Sequence, residues 1–168
     1  MNTHLIYSER LSSKRTELLF IALTLLFLLL FIWRVVAGSV DFLAGIFLFF
    51  FVCFLFYSFN FRTLVIRLTS ESLKLSFGIF TWTIPLNSVG EIQPDDDLPL
   101  LMKYGGAGIH FMLVRKRYRV SFNFLEFPRV VIGLKRKAGL VSDISFSTYQ
   151  PNEIIRLMQG AISANKND

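Results

Sequence analysis

Two apolar runs, Leu18 to Ala37 and Phe42 to Phe59, stand almost back to back, with only Gly38-Ser39-Val40-Asp41 between them. Each approaches the ~20 apolar residues that cross a hydrocarbon core about 30 Å thick. So short a link turns two such helices into an antiparallel hairpin, and both ends of the chain then lie on one side. Burial inside a soluble domain would require a polar face. The second run has none: eight phenylalanines (42, 47, 49, 50, 51, 54, 56 and 59) sit among Leu, Ile, Val, Ala and Gly, so it is hydrophobic all round. A chain of 168 residues is too small to wrap two such helices on every side.

Lys14 and Arg15 ahead of an apolar core also resemble the start of a cleaved signal peptide. Leu18 to Trp33 already exceeds the usual apolar region of about 7 to 15 residues, Arg34 occupies the cleavage region, and a second span follows directly. The expectation is therefore a multi-pass membrane protein with spans over about 18–37 and 42–59. Arg10, Lys14 and Arg15 precede the first span and Arg62 and Arg67 follow the second, whereas Arg34 alone lies near the connecting loop, where it can snorkel. That cation bias places both termini in the cytoplasm, and Trp33 and Tyr57 suit the interfacial aromatic belt. Cys53, the single cysteine, has no intrachain partner and gives no sign of a disulfide-bonded exterior domain.

From Arg62 the pattern changes to strict alternation, the mark of half-buried strands. The sets are Leu64, Ile66, Leu68; Leu73, Leu75, Phe77; Phe80, Trp82, Ile84; Tyr118, Val120, Phe122, Phe124; Val130, Ile132, Leu134; and Ile144, Phe146. Short, closely spaced strands predict an antiparallel sheet. Pro151 suits a first helical turn, and Ile154, Ile155, Met158, Ala161 and Ile162 share one helical face, so a helix is expected over about 151–164. The fold class expected is a membrane helical hairpin plus a mainly-β (α+β) domain. Residues 1–17 read as a cytoplasmic tail, 18–60 as the hairpin, and 61–168 as a curved antiparallel sheet or barrel closed by its C-terminal helix, the plan of a pleckstrin-homology-like (PH-like) domain.

Tyr104-Gly105-Gly106-Ala107-Gly108-Ile109-His110, with Tyr118-Arg119-Val120-Ser121 after it, resembles a block in small bacterial two-span membrane proteins that carry a C-terminal bacterial PH-like domain. Tyr7-Ser8-Glu9 before the first span and Ser147-Thr148 before the last helix extend the resemblance along the chain. It implies the bacterial cytoplasmic (inner) membrane and a structural role for Tyr104, Gly105, Gly106, Gly108 and Ile109. Ala107, His110 and Phe122 stand where that family has Trp, Arg and Gly, so no role of those residues carries over. The family is mostly uncharacterised, and a fold does not fix an activity.

Catalysis needs a convergent set of nucleophile, base or metal ligands, and none is evident here. His4 and His110 are isolated, and a Cys53 thiol within an apolar helix ionises poorly. Asp95-Asp96-Asp97 lacks the spacing of a calcium loop and reads as a solvated acidic turn. The glycines at 105, 106 and 108 do not join a strand to a helix as a phosphate loop does and serve conformational freedom. No catalytic, cofactor-binding or metal-binding residue is assigned and no cofactor is expected. The basic clusters carry the functional expectation: Arg115-Lys116-Arg117 with Arg119, and Lys135-Arg136-Lys137, at or beside hairpin turns. Residues 62–168 hold fourteen Lys/Arg against nine Asp/Glu. Close to a cytoplasmic leaflet each such cation is worth about 1 kcal/mol against anionic headgroups. The expected partners are the lipid bilayer, its anionic headgroups, and a membrane or cytoplasmic protein; with no nucleic-acid motif beside the charge, nucleic acid is not expected. The functional expectation is a non-enzymatic integral membrane protein presenting a PH-like binding or scaffolding domain at the cytoplasmic face. The alternatives are an accessory subunit packing through its Phe-rich span and an enzyme with an unrecognised site.

Overall fold

The computed structural model describes residues 4–38, 40–95, 108–124 and 126–167. Two compact units emerge, a helical hairpin over 12–62 and a β domain built from 1–11 together with 63–168.

In the hairpin, α1 (Lys14–Val36) and α2 (Phe42–Asn60) are each long and apolar enough to cross a membrane. Only 6% of the most apolar stretch of either helix is buried in the fold, whereas the core helix of a soluble protein is mostly buried. Helix α1 starts four residues before the apolar run because the Ser13 side chain caps it, accepting from the Thr16 N–H at 3.1 Å. Asp41 caps α2 in the same way through the Ala44 N–H (3.0 Å) and pairs with Arg34 across the loop. Aromatic rings join the helices. Phe27 stacks on Phe50 and Phe54 with centroids 5.1 and 5.4 Å away, and Phe20 meets Tyr57 at 5.4 Å.

In the β domain the expected tail contains a strand, β1 (Leu5–Ser12), which heads a sheet of order β1-β2-β3-β4 with β2 (Thr63–Thr69), β3 (Ser72–Phe77) and β4 (Phe80–Pro85). Leu64, Ile66, Leu68, Leu73, Leu75, Phe77 and Ile84 point into the core, as their alternation requires. A 3-10 turn, Leu86–Ser88, leads to a second sheet of order β5-β8-β9-β7-β6. Its strands are β5 (Val89–Pro94), β6 (Gly108–Val114), β7 (Arg117–Asn123), β8 (Arg129–Ala138) and β9 (Val141–Ser147).

Here the antiparallel expectation fails at one pair. Strand β9 returns from β8 as an antiparallel hairpin but slots between β8 and β7, so β7 and β9 run parallel, Val120 opposite Ile144 and Phe122 opposite Phe146. The barrel expectation also fails, since the strands form two separate sheets. Phe77 of the first sheet stacks on Phe122 of the second (6.3 Å) and meets Phe124 edge-on (5.2 Å). The terminal helix, α3 (Pro151–Asn167), buries Ile154 and Met158 completely and packs on β5, the 3-10 turn and β8.

The β domain has two distinct ends. Thr63 and Leu11, through which the chain joins the hairpin, mark one. Antiparallel register puts the β3–β4 turn at that same end, since Leu64 lies opposite Phe77 and Phe77 opposite Phe80. The far end lies about 20 Å away along the seven residues of β2. It holds the β2–β3 turn, where the Ser70 N–H donates to the His4 carbonyl (3.2 Å) and the Leu86 N–H to the Glu71 carbonyl (2.8 Å). Asn165, near the end of α3, donates to the Ser70 carbonyl at 2.7 Å.

Candidate functional site

The parallel pair decides where the basic residues go. Because β7 and β9 start side by side, Tyr118 opposite Val141, the β6–β7 and β8–β9 turns emerge at the same end of the sheet. Arg115, Lys116 and Arg117 therefore stand beside Lys135, Arg136 and Lys137, all exposed. The Lys135 ammonium donates to the Asn87 carbonyl (2.8 Å), and Val89 pairs with Leu134. Those contacts fix this cationic rim at the far end of the domain, next to the 3-10 turn that follows β4. The β6–β7 link is a two-residue turn, with Val114 paired to Arg117. Its central residues Arg115 and Lys116 have φ of 49° and 64°, the left-handed region that such turns normally fill with Asn-Gly.

Arg119 does not belong to that rim. It is 7% exposed and donates to the Asp95 carboxylate at 2.7 Å, with Asp143 at 3.9 Å. Its expected role in touching lipid or partner is therefore corrected: a guanidinium enclosed between two carboxylates offers nothing to an outside anion. Arg117, half-exposed, forms an ion pair with Asp143 at 2.8 Å. Asp95, read as part of a solvated acidic turn, is also buried at 7% exposure; Asp96 and Asp97 lie outside the described residues.

These charges line a cleft of about 90 Å³ together with Glu91, Gln93 and Arg115. It has room for about three waters at roughly 30 Å³ each. Asp95 Oδ2 and Arg119 Nε are buried and make no hydrogen bond within the described chain. Burial lowers the pKa of the neighbouring Arg129 guanidinium, while the Asp95 charge acts in the opposite direction.

The same sheet face continues as a buried polar rib. Ser145 donates to Ser121 (2.9 Å), Ser147 donates to the Asn123 side chain (3.0 Å), and the Phe124 N–H donates to Ser147 Oγ (3.0 Å). Alternation marks these positions as the polar face but cannot reveal that this face is covered. The use of small Ser residues in place of Lys or Glu is the available signal.

A third group ties the chain's ends together. Glu9 on β1 accepts from the Thr148 hydroxyl and from the Tyr149 N–H, both at 2.6 Å. Tyr7 shares this site, and burial followed by the Glu9 charge pushes its pKa up to about 12. The segments 7–9 and 147–148, separate in the sequence, thus meet in space.

Of the residues expected to be structural, Gly108 opens β6 with φ of 123°, a conformation suited to glycine, and Ile109 pairs with Phe122. Tyr104, Gly105 and Gly106 lie outside the described residues. Among the described residues no group of three or more His, Cys, Asp or Glu is placed to hold a metal ion. Searches of protein-family models, of curated proteins and of solved structures return no match.

Proposed function

We propose that the chain is a non-enzymatic, membrane-anchored binding protein whose PH-like β domain offers its cationic rim to an acidic protein partner on the cytoplasmic side. The observation that carries this reading is the parallel β7–β9 pairing, which gathers six cations at the end of the domain opposite Leu11 and Thr63. Cations meant for the chain's own bilayer would be expected at the end that joins the hairpin. Tethering then acts by raising the local concentration of the rim along one membrane face.

The PH-like assignment draws on the two sheets joined through Phe77 and on the C-terminal helix, together with the resemblance carried by the Tyr104 to Ile109 block. The parallel pair and the five-stranded sheet are this chain's departures from an all-antiparallel plan. The bacterial inner membrane, with both termini cytoplasmic, follows from the same resemblance and from the cation bias around the two helices.

Photocrosslinkers placed at Lys116 and Arg136 of the full chain in native membranes test the proposal. Salt-sensitive protein adducts at both positions, lost when Arg115, Lys135 and Lys137 are reversed in charge, support it. Adducts to lipid alone return the rim to bilayer docking, and no adduct at all overturns both readings.

A second reading, packing of α2 against another membrane helix, is favoured by an apolar groove lined by Phe42, Gly45, Ile46, Phe49 and Phe50. Gly45 has nothing within 4 Å of where a Cβ would stand, so Gly45→Leu should leave the hairpin intact and block such packing, measured by co-purification.

A further inference from the structure

We infer that the β3–β4 turn is a bilayer-contact element that seats Ile79 and Phe80 in the headgroup layer. The inference rests on the reading of α1 and α2 as membrane spans. Connectivity is the first argument. Only Ser13 separates β1 from α1, and only Phe61 and Arg62 separate α2 from β2. The β domain therefore has almost no linker with which to move away from the membrane surface.

Register is the second argument. Leu64 lies four residues beyond the end of α2, Phe77 is its partner, and Phe80 is the partner of Phe77. Strands in a sheet are about 4.8 Å apart, so Phe80 lies within about 10 Å of Leu64. Gly78, with φ of 51°, closes the turn tightly at that level. The polar layer on each side of a bilayer is about 5 to 7 Å deep, and with only Phe61 and Arg62 between α2 and β2 the turn beside Leu64 is within reach of it along the chain.

Side-chain chemistry is the third. Hairpin tips in water favour Gly, Asn, Asp and Ser, whereas this one reads Phe77-Gly78-Ile79-Phe80, with Ile79 73% and Phe80 40% exposed. Tyr149, half-exposed, belongs to the same end of the domain through its hydrogen bond to Glu9, and tyrosine favours the interface. Arg10, Lys14, Arg15 and Arg62 flank the points where the chain passes into α1 and out of α2 and complement lipid phosphates. Exposure alone would not carry the inference, since Leu140 at the far rim is 67% exposed. What distinguishes Ile79 is its distance from the point where the chain leaves α2.

The test uses the full chain reconstituted in phosphatidylcholine–phosphatidylglycerol vesicles, carrying an environment-sensitive fluorophore at one cysteine. In a Cys53→Ser background the probe is placed by Ile79→Cys or by Leu140→Cys, and quencher lipids carry a nitroxide near the headgroup. The expected result is at least twofold stronger quenching at position 79 than at 140. A probe on the native Cys53, with the nitroxide deep in the acyl chain, reports on the anchor. If the Cys53 probe is not quenched, the membrane-span reading fails and this inference with it. Should it be quenched while positions 79 and 140 respond alike and weakly, the headgroup seat alone is overturned. Equal and strong quenching at 79 and 140 instead overturns the reading of the rim as turned away from the bilayer.

Discussion

Replacing Glu9 should detach β1 from the β domain without unfolding the rest. Of the eight residues of β1 only Leu11 is fully buried, so hydrophobic burial contributes little to holding the strand. What remains is its ladder with β2, the Tyr7 hydroxyl's hydrogen bonds with Glu9 and Thr148, and the two 2.6 Å hydrogen bonds that the Glu9 carboxylate accepts from Thr148 and Tyr149. A hydrogen bond to a charged group contributes about 1.5–3 kcal/mol. Glu9 is only partly buried, which puts each bond near the lower figure. Glu9→Ala removes both and leaves the buried Thr148 hydroxyl accepting from the Gln150 N–H but without the acceptor for its own proton, for a loss of about 2–4 kcal/mol. Glu9→Gln retains one good acceptor and should lose roughly half as much. Hydrogen exchange on the full chain in lipid nanodiscs reads this directly, because local opening reports local stability. Amides of β1 and those of β2 that face it should exchange about 30- to 1,000-fold faster in Glu9→Ala, the factor corresponding to 2–4 kcal/mol. Strands β7 and β9, central in the other sheet, should keep their protection. Unchanged exchange in β1, or equal acceleration across every strand, would refute the assignment of Glu9 as a local clasp.

Three further outcomes follow from other sites. Arg119→Ala leaves Asp95 and Asp143 buried without their shared cation and should cost about 3–5 kcal/mol, seen as a lower thermal midpoint in detergent; a change within error would mean water replaces the guanidinium at no cost. Arg115→Asn combined with Lys116→Gly relieves two left-handed non-glycine residues and should stabilise the β6–β7 hairpin by about 1–2 kcal/mol, while weakening any partner contact made by the rim. For Tyr7 the folded state holds the phenol proton more tightly than the unfolded chain, its pKa raised from 10.0 to about 12. Its contribution is therefore complete below pH 10 and lost as pH rises toward 12, so β1 exchange should accelerate over that window relative to its neighbours, and Tyr7→Phe should abolish the pH-dependent part.

The elements most legible in the sequence are those whose signal is local. Eight phenylalanines with no polar face announce α2, and the alternation of Leu64, Ile66 and Leu68 announces β2, because each pattern reports a period that one segment satisfies alone. Strand β1 is not legible: seven of its eight residues stay at least partly exposed, so it shows no apolar alternation, and what anchors it is a carboxylate meeting residues 139 and 140 positions away. Arg119 misleads for a related reason. A basic residue beside Arg115-Lys116-Arg117 looks like part of a surface cluster, yet alternation turns its side chain to the sheet face where Asp95 and Asp143 wait.

By itself, then, the sequence determined two apolar helices, six of the strands after Arg62 though neither β5 nor β6, and a closing amphipathic helix, since hydrophobic period and chain length act within one segment. Which strands pair, and in which direction, was decided only by the tertiary structure. The insertion of β9 between β8 and β7 brings two basic turns to one end, buries a polar rib of serines and sets the cationic rim at the end of the domain away from Leu11 and Thr63. None of these is encoded in a local pattern, because pairing between distant strands depends on how both sheets share one core.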